Sequence, residues 1–443
     1  MIYDKELDNF TSLGKIWLPD NRNNVLPALL KSTPEDGLTL EVAGSLTILK
    51  ELSSYDEIHG KFIEFGDITL FNNLEISRKL PDVTHISSLS ITSGHHLSDS
   101  FIIEGSTLAL KMNSLKYWIG NFDKEDLIWE ALYSENDKIR IISKNKNSDF
   151  IDEENLVLID IPSNIKTFND FYSFQLKILN LFKILFCSDT NFTLCSLSKT
   201  FVDVTKTVST DVYTPRGMNT KEMNYHSQTL PLNFQDIKES LPNIFNNWIE
   251  NYDNFISCFT GLNVTWSWDN IYSEAEILAL VQSLESVTNL NDYKSLPFKR
   301  NDFKKIKEDL KKIILSNFDE DTSKVLNRNL RHLNTAPLSE RINNLFEDFQ
   351  PEEISKLIGP LNKVIIDLVS LRNKISHGSL YNSEKISFSW NNHSILHIYT
   401  KRAEVLLYIS LLHHLGIEPE KIMRKLYRVY SKYDLDNKPL INN

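Results

Sequence analysis

The amino-acid sequence predicts an α+β protein in which a β-rich N-terminal domain, residues 1–233, is followed by an all-α helical bundle, residues 234–443. Short segments in the first 165 residues alternate apolar and polar side chains, which is typical of strands. From about Phe234 onward, apolar residues recur at spacings of three and four, which is typical of amphipathic helices. The charge changes as well, because residues 1–250 hold 23 basic and 35 acidic residues and the remainder holds 25 and 24.

The strand pattern is clearest in four segments of the N-terminal half, and clusters of Gly, Asn, Asp and Pro separate them. These segments are residues 38–42, 61–65, 85–91 and 156–160. They predict an antiparallel, sandwich-like or barrel-like β domain. One helix is expected to follow, over residues 168–186.

The helical period predicts a series of helices in the second half. They are expected over residues 237–259, 273–287, 302–315, 338–349, 361–377, 401–415 and 419–433. Pro360 suits the first turn of the fifth helix, since that position needs no amide hydrogen bond. Gly378 is a suitable residue to end it.

Length, charge and motifs exclude several classes of protein. A chain of 443 residues, 41% of them hydrophobic, predicts more than one folded domain, and a net charge of -11 argues against a general polyanion binder. No signal peptide or membrane span is recognisable, so a cytoplasmic protein is expected. Phosphate-binding Gly-rich loops, nucleophile elbows and CxxC pairs are lacking. The sequence therefore predicts neither a cofactor nor a metal.

A short motif at the end of the helix predicted over residues 361–377 combines two side chains suited to phosphate chemistry. Arg372 can hold a phosphate by a two-pronged contact, and His377 can exchange a proton near neutral pH. Arg372 lies on the apolar side of this helix, four residues after Leu368, so its charge needs an acid, a partner chain or a phosphate. His377 lies about 140° further around the helix. The two side chains can meet if the helix end unwinds at Gly378, or if two copies of the motif meet across a dimer axis.

The same residues allow a simpler interpretation, in which Arg372 is a structural arginine paired with an acid and His377 merely ends a helix. Spacing alone does not separate the two interpretations.

Arg372-Asn373-x-x-x-His377 resembles the signature of HEPN-domain ribonucleases, small helical bundles in which this motif closes a long helix. Further segments are similar to ApeA-type anti-phage proteins, whose β-rich N-terminal domain precedes a C-terminal HEPN domain. These segments are residues 14–19, 36–40, 67–70 and 115–118 for the N-terminal domain, and Trp248 and residues 282–285 for the entry into the HEPN domain. Ile16 departs from the pattern, because a second aromatic residue is common before Trp17.

The resemblance implies a metal-independent endoribonuclease active in abortive anti-phage defence. The RNA 2′-hydroxyl would attack the adjacent phosphorus, giving a 2′,3′-cyclic phosphate and a 5′-hydroxyl. His377 would act as general acid or base and Arg372 would stabilise the phosphoryl oxygens. Asn373 would orient the site or the helix end. Glu285 is the acid expected to hold Arg372, with Asp367 on the same helix as an alternative.

Two basic stretches of the helical half are candidates for contact with RNA, because phosphates need cations and aromatic faces can stack on unpaired bases. For each, a solvated helix face is the alternative. The candidate RNA-binding residues are Lys304, Lys305, Lys311, Lys312, Arg424 and Arg428.

The expected partners follow from the resemblance together with the geometry of the motif and the uneven charge of the two halves. RNA is the expected substrate, and transfer RNA is plausible because its anticodon loop offers splayed bases. A homodimer or a higher symmetric oligomer would bring two motifs together. The acidic N-terminal domain would sense a phage-derived trigger or restrain the nuclease. The alternative function is a catalytically inactive HEPN scaffold that binds a protein partner or RNA, which would not need both Arg372 and His377.

Overall fold

A computed structural model describes most of the chain. The described residues are 10–33, 37–44, 54–79, 83–88, 90–93, 106–112, 115–119, 127–144, 154–190, 194–201, 206–213, 230–267, 273–290, 298–330, 333–378, 390–438 and 440. They form two units, Met1–Asn246 and Asn247–Asn443. The first unit is rich in strands and the second is helical, which confirms the predicted fold class.

The two units divide inside a helix, whereas the sequence analysis places the domain boundary between residues 233 and 234. Residues 234–246 belong to the first unit, and two of their aromatic side chains pack against it. The Phe234 ring lies 5.4 Å from Trp118 and 5.5 Å from Trp129, and the Phe245 ring lies 4.8 Å from Tyr133.

Six of the described strands close into an antiparallel barrel. They are β1 (Phe10–Leu18), β2 (Asn21–Thr33), β3 (Gly37–Ala43), β4 (Ser54–Phe62), β5 (Gly66–Lys79) and β6 (Val83–Ser88). Their order is β4-β1-β2-β3-β6-β5, and β4 also pairs with β5, so the ring is complete. Alternate side chains such as Ile16, Leu30, Leu40 and Ile68 point inward and are fully buried. The barrel-like form of the two predicted architectures is therefore the one present in this part of the chain.

The sheet continues from β5 through further antiparallel strands, in the order β7-β13-β12-β8-β11-β10-β9. Their bounds are β7 (Ser90–Ser93), β8 (Thr107–Lys111), β9 (Leu127–Leu132), β10 (Lys138–Lys144), β11 (Glu154–Asp160), β12 (Leu194–Phe201) and β13 (Lys206–Tyr213). The strand predicted over residues 61–65 is wrong in its second half. There β4 ends and a turn follows, so that the Ile63 side chain is 82% exposed.

The described residues of this unit include two helices before its C-terminal segment, α1 (Leu115–Ile119) and α2 (Phe168–Phe186). Helix α2 has the predicted bounds. It begins at a capping box in which Thr167 and Asp170 satisfy each other's backbone amides, and such a box is a local signal. The Trp118 ring of α1 meets Phe182 and Phe186 of α2 at 5.9 and 5.8 Å.

The remaining helices of the described chain are α3 (Phe234–Ile237), α4 (Leu241–Glu250), α5 (Tyr252–Ser267), α6 (Ser273–Val287), α7 (Arg300–Asn317), α8 (Glu320–Asn329), α9 (Leu338–Asn344), α10 (Pro351–Ile358), α11 (Leu361–Ser376), α12 (Trp390–His414) and α13 (Pro419–Tyr430). The helix predicted over residues 237–259 is wrong as a single element, because the chain turns at Asn251. Helices α8 and α10 were not predicted, and α12 begins earlier than expected.

Helix α12 forms the centre of the helical unit. Every residue from Ala403 to Leu412 is buried, so this stretch is surrounded by the other helices. Helices α5, α6, α11 and α13 pack against it. None of the helices in the described residues is long and apolar enough to cross a membrane.

Candidate active site

Helix α11 carries the motif to its C-terminal end. Val364, Ile365, Leu368 and Leu371 form its buried stripe. The helix remains regular to Ser376, so Arg372 and the residue that follows the helix stay about 140° apart around its axis. Unwinding therefore does not bring Arg372 and His377 together within one chain.

Helix α11 is followed by a glycine in the left-handed backbone conformation. The amide of His377 donates to the Asn373 carbonyl at 3.0 Å, and the amide of Gly378 donates to the Ile375 carbonyl at 3.0 Å. Gly378 has φ 63°, in the left-handed region that favours glycine. This arrangement leaves the His377 side chain exposed at the end of the helix.

A carboxylate shared by two arginines lies beside the motif. Nη2 of Arg372 lies 3.4 Å from one oxygen of Glu285 on α6, and Nη2 of Arg341 on α9 lies 3.0 Å from the other. Arg341 also donates through Nη1 to the Thr288 hydroxyl at 3.1 Å. The side chains of Arg341, Arg372 and Glu285 are 11%, 30% and 32% exposed. Two guanidinium groups against one carboxylate leave this arginine cluster with a net positive charge.

Arg341 is a member of this cluster that the sequence does not predict. It lies in a helix of only seven residues, 56 positions from Glu285, and no local pattern distinguishes it from a surface arginine. Only the approach of α9 to α6 reveals its contact with the carboxylate.

Asp367, the alternative partner of Arg372, has other contacts. Its carboxylate accepts a hydrogen bond from the Tyr399 hydroxyl at 2.5 Å and lies 2.9 Å from Nζ of Lys363. The side chain is only 1% exposed. The acid that contacts Arg372 among the described residues is Glu285.

Asn373 connects the arginine cluster to a second face of α11. Its Oδ1 accepts a hydrogen bond from Nη1 of Arg372 at 3.1 Å. On this face a surface cavity of about 390 Å³ is lined by Ser339, Ile366, Val369, Ser370, Asn373, Lys374 and His377. Arg372 is not among these lining residues. The Ile366 side chain on this face is 47% exposed. The structure thus brings Arg372, Asn373 and Glu285 together and places His377 on the neighbouring face.

The candidate RNA-binding residues lie on two other helices. Lys304, Lys305, Lys311 and Lys312 are exposed on α7, and Nζ of Lys312 lies 3.3 Å from Asp309. Arg424 and Arg428 are exposed on α13, one turn apart, with Tyr427 between them at 53% exposure.

The part of the chain that the structure describes contains no group of three or more His, Cys, Asp or Glu side chains that could hold a metal ion.

Comparisons with protein families give two matches. The family described as ApeA N-terminal domain 1 matches residues 11–248, more than half of the chain. The family described as Apea-like HEPN matches residues 278–421, which include Glu285, Arg341 and the whole motif. No curated protein and no solved structure gives a significant match.

Proposed function

This chain belongs to the family of ApeA-type proteins with a C-terminal HEPN domain, and from that premise we propose that it is a metal-independent endoribonuclease. The family match suggests an anti-phage HEPN nuclease, and HEPN domains commonly form dimers and act on RNA. We propose further that the substrate is RNA, with transfer RNA as the class that is cut, and that cleavage aborts infection.

The observation that carries the proposal is the incomplete pairing of Arg372. Its guanidinium has five N–H donors, of which the described contacts use one toward Glu285 and one toward Asn373. The group is 30% exposed, and Arg341 already satisfies part of the Glu285 charge. Arg372 therefore retains donors and positive charge for a phosphate.

These residues support a mechanism that needs only protein groups. The ribose 2′-hydroxyl attacks the adjacent phosphorus in line, and the 5′-oxygen of the next nucleotide leaves. His377 accepts or donates the transferred proton, and Arg372 binds the non-bridging oxygens as their negative charge grows. The products carry a 2′,3′-cyclic phosphate and a 5′-hydroxyl. DNA does not react because it lacks the 2′-hydroxyl.

The position of His377 favours a site built from two copies of the chain. A regular α11 keeps Arg372 and His377 on different sides of one helix. The exposed face with Ile366, Asn373 and His377 is available to a second copy, and a two-fold axis at this face would bring two motifs together.

The exposed cations of α7 and α13 are proposed to hold the RNA strand. Arg424 and Arg428 would contact phosphates, and the Tyr427 ring would stack on an unpaired base. Binding would then weaken steeply as the salt concentration rises.

The test is the sequencing of RNA ends after expression of the wild type, His377→Ala and His397→Ala. His397 is an exposed histidine on α12, so its variant controls for the loss of an imidazole. We expect cyclic-phosphate ends concentrated in one RNA class, unaffected by His397→Ala and reduced about 10²- to 10⁴-fold by His377→Ala. Purified protein should cleave equally well in excess chelator.

Two results would contradict the proposal. Undiminished cuts from His377→Ala would exclude His377 from catalysis. A wild type that makes no cuts, yet binds RNA or a protein, would support the inactive scaffold instead.

A further inference from the structure

A cavity on the outer surface of the six-stranded barrel has a cationic and aromatic lining that the nuclease chemistry does not use. Its volume is about 380 Å³. Four neighbouring strands contribute the walls. The lining residues are Lys15 and Trp17 from β1, Arg22 and Val25 from β2, His59 and Lys61 from β4, and Asp67 from β5. A cavity of this size lies within the range of small-ligand sites.

Strand register places these side chains on one patch. Lys15 pairs across the β1–β4 ladder with Lys61, and Trp17 pairs with His59. All four alternate with inward-facing residues, so they point away from the barrel core. Gly14 allows the two strands to lie this close, since a Cβ there would stand 2.5 Å from the Lys61 carbonyl oxygen.

The cations of the cavity are poorly neutralised. Directly opposed like charges destabilise a sheet, yet Lys15 and Lys61 face each other. Asp67, which also lines the cavity, lies 3.6 Å from Nζ of Lys61. Lys15 and Arg22 make no ion pair with any residue in the described ranges. Three cations against one carboxylate form a positive site in the acidic half of the sequence.

The apolar part of the lining is held in place. The Trp17 ring meets His59 edge-on at 6.3 Å between ring centroids. His59 points outward but is only 1% exposed, and its Nε2 lies 2.6 Å from a Glu57 carboxylate oxygen. A fixed indole beside the half-exposed Val25 offers a flat apolar surface next to the cations.

We propose that this barrel cavity binds a nucleotide. Lys15, Arg22 and Lys61 would hold its phosphates, since lysine and arginine donors form charge-assisted hydrogen bonds to phosphate oxygens. The base would lie against Trp17 and Val25. A free nucleotide and the terminal nucleotide of a strand share this chemistry.

The test is calorimetric titration of the full-length protein with ATP and, separately, with a 5′-phosphorylated decamer of deoxythymidine. The DNA decamer has no 2′-hydroxyl, so the proposed ribonuclease cannot consume it and the two proposals fail independently. The variants are Lys15→Glu and Arg22→Glu. Lys166→Glu, an exposed lysine before α2 in the same unit, is the matched control.

We expect each of the two cavity variants to weaken binding about tenfold or more, as the loss of a charge-assisted hydrogen bond does, and Lys166→Glu to bind as the wild type does. Lys15→Glu should not lower the melting temperature, because it replaces two opposed lysines by an opposite-charge pair. Tighter binding of ATP identifies a free nucleotide as the source, and tighter binding of the decamer identifies a strand end.

Three results would overturn the proposal. They are no binding of either probe, equal binding by the cavity variants and Lys166→Glu, and binding of a polyglutamate decamer as tightly as ATP. The last result would identify the cavity as a site for acidic peptides.

Discussion

Two of the ion-paired side chains on helix α11, Asp367 and Arg372, lie five positions apart and differ in exposure and in the closeness of their partners. Asp367 is 1% exposed and has two close partners, Tyr399 at 2.5 Å and Lys363 at 2.9 Å. Arg372 is 30% exposed, and its closest carboxylate lies 3.4 Å away. Asp367 is therefore buried and closely paired, whereas Arg372 is partly exposed to solvent.

Under the proposed function, the difference separates a charge with a structural role from a charge that is to bind a phosphate. A buried carboxylate without partners would be costly, so Asp367 needs close contacts that hold α11 to α12. An arginine that is to bind a transient phosphate must instead keep donors available. Arg372 meets this requirement because Glu285 is shared with Arg341.

The largest expected effect is on RNA cleavage and comes from substitution of the partly exposed Arg372. Arg372→Lys should lower RNA cleavage about 10²- to 10³-fold, because a lysine cannot reproduce the two-pronged contact with a phosphate. Its free energy of unfolding should change by less than about 1 kcal/mol, since the pair with Glu285 is partly exposed. Single-turnover cleavage and urea unfolding measure the two quantities. Arg328→Lys, an exposed arginine on α8, is the control. A large loss of stability with unchanged cleavage would reverse the assignment.

Substitution of the buried Asp367 should instead lower the stability of the fold. Asp367→Ala should lower the free energy of unfolding by about 3 kcal/mol, because it strands the buried Tyr399 hydroxyl and removes the partner of Lys363. Lys363→Ala, which removes only the 31% exposed end of the pair, should cost about 0.5 kcal/mol. Urea unfolding of both variants provides the comparison. Equal costs for the two variants would show that the contact of Asp367 with Lys363, and not the one with Tyr399, carries the stabilisation.

The smallest effect on cleavage is expected from substitution of Arg341. This residue contacts Glu285 in the arginine cluster, and its side chain is 11% exposed. Arg341→Ala should reduce cleavage about tenfold, because Glu285 would turn fully toward Arg372 and compete with phosphate. Arg341→Lys should restore most of the activity by keeping a cation at Glu285. At saturating RNA the cleavage rate of Arg341→Ala should be lower than that of Arg341→Lys. The free energies of unfolding of the two variants should not differ to a matching extent. If Arg341→Lys folds but does not restore cleavage, then Arg341 does not act by holding Glu285 away from Arg372.

Much of the helical half could be predicted because its signals are local. In that half the bounds of α6 follow from its apolar period. In the first unit the bounds of α2 follow from apolar period and a capping box, whose residues lie within a few positions of each other. The end of α11 follows from Gly378. By contrast, the apolar spacing continues through Asn251 from Trp248 to Phe255 and does not show the break there. Helix α10 has Ile354, Leu357 and Ile358 at helical spacing, but its eight residues span little more than two turns, which is too short to stand out from the flanking sequence.

The sequence by itself determined the order of a β-rich and a helical region and the position of the Arg372–His377 motif, because both depend on neighbouring residues. The tertiary structure decided which strands close the barrel, since the β1–β4 pairing joins segments far apart in the chain. It also decided that Arg341 shares Glu285 with Arg372 and that Lys15 faces Lys61. These contacts depend on register and helix packing, which the periodicity of a single segment does not contain.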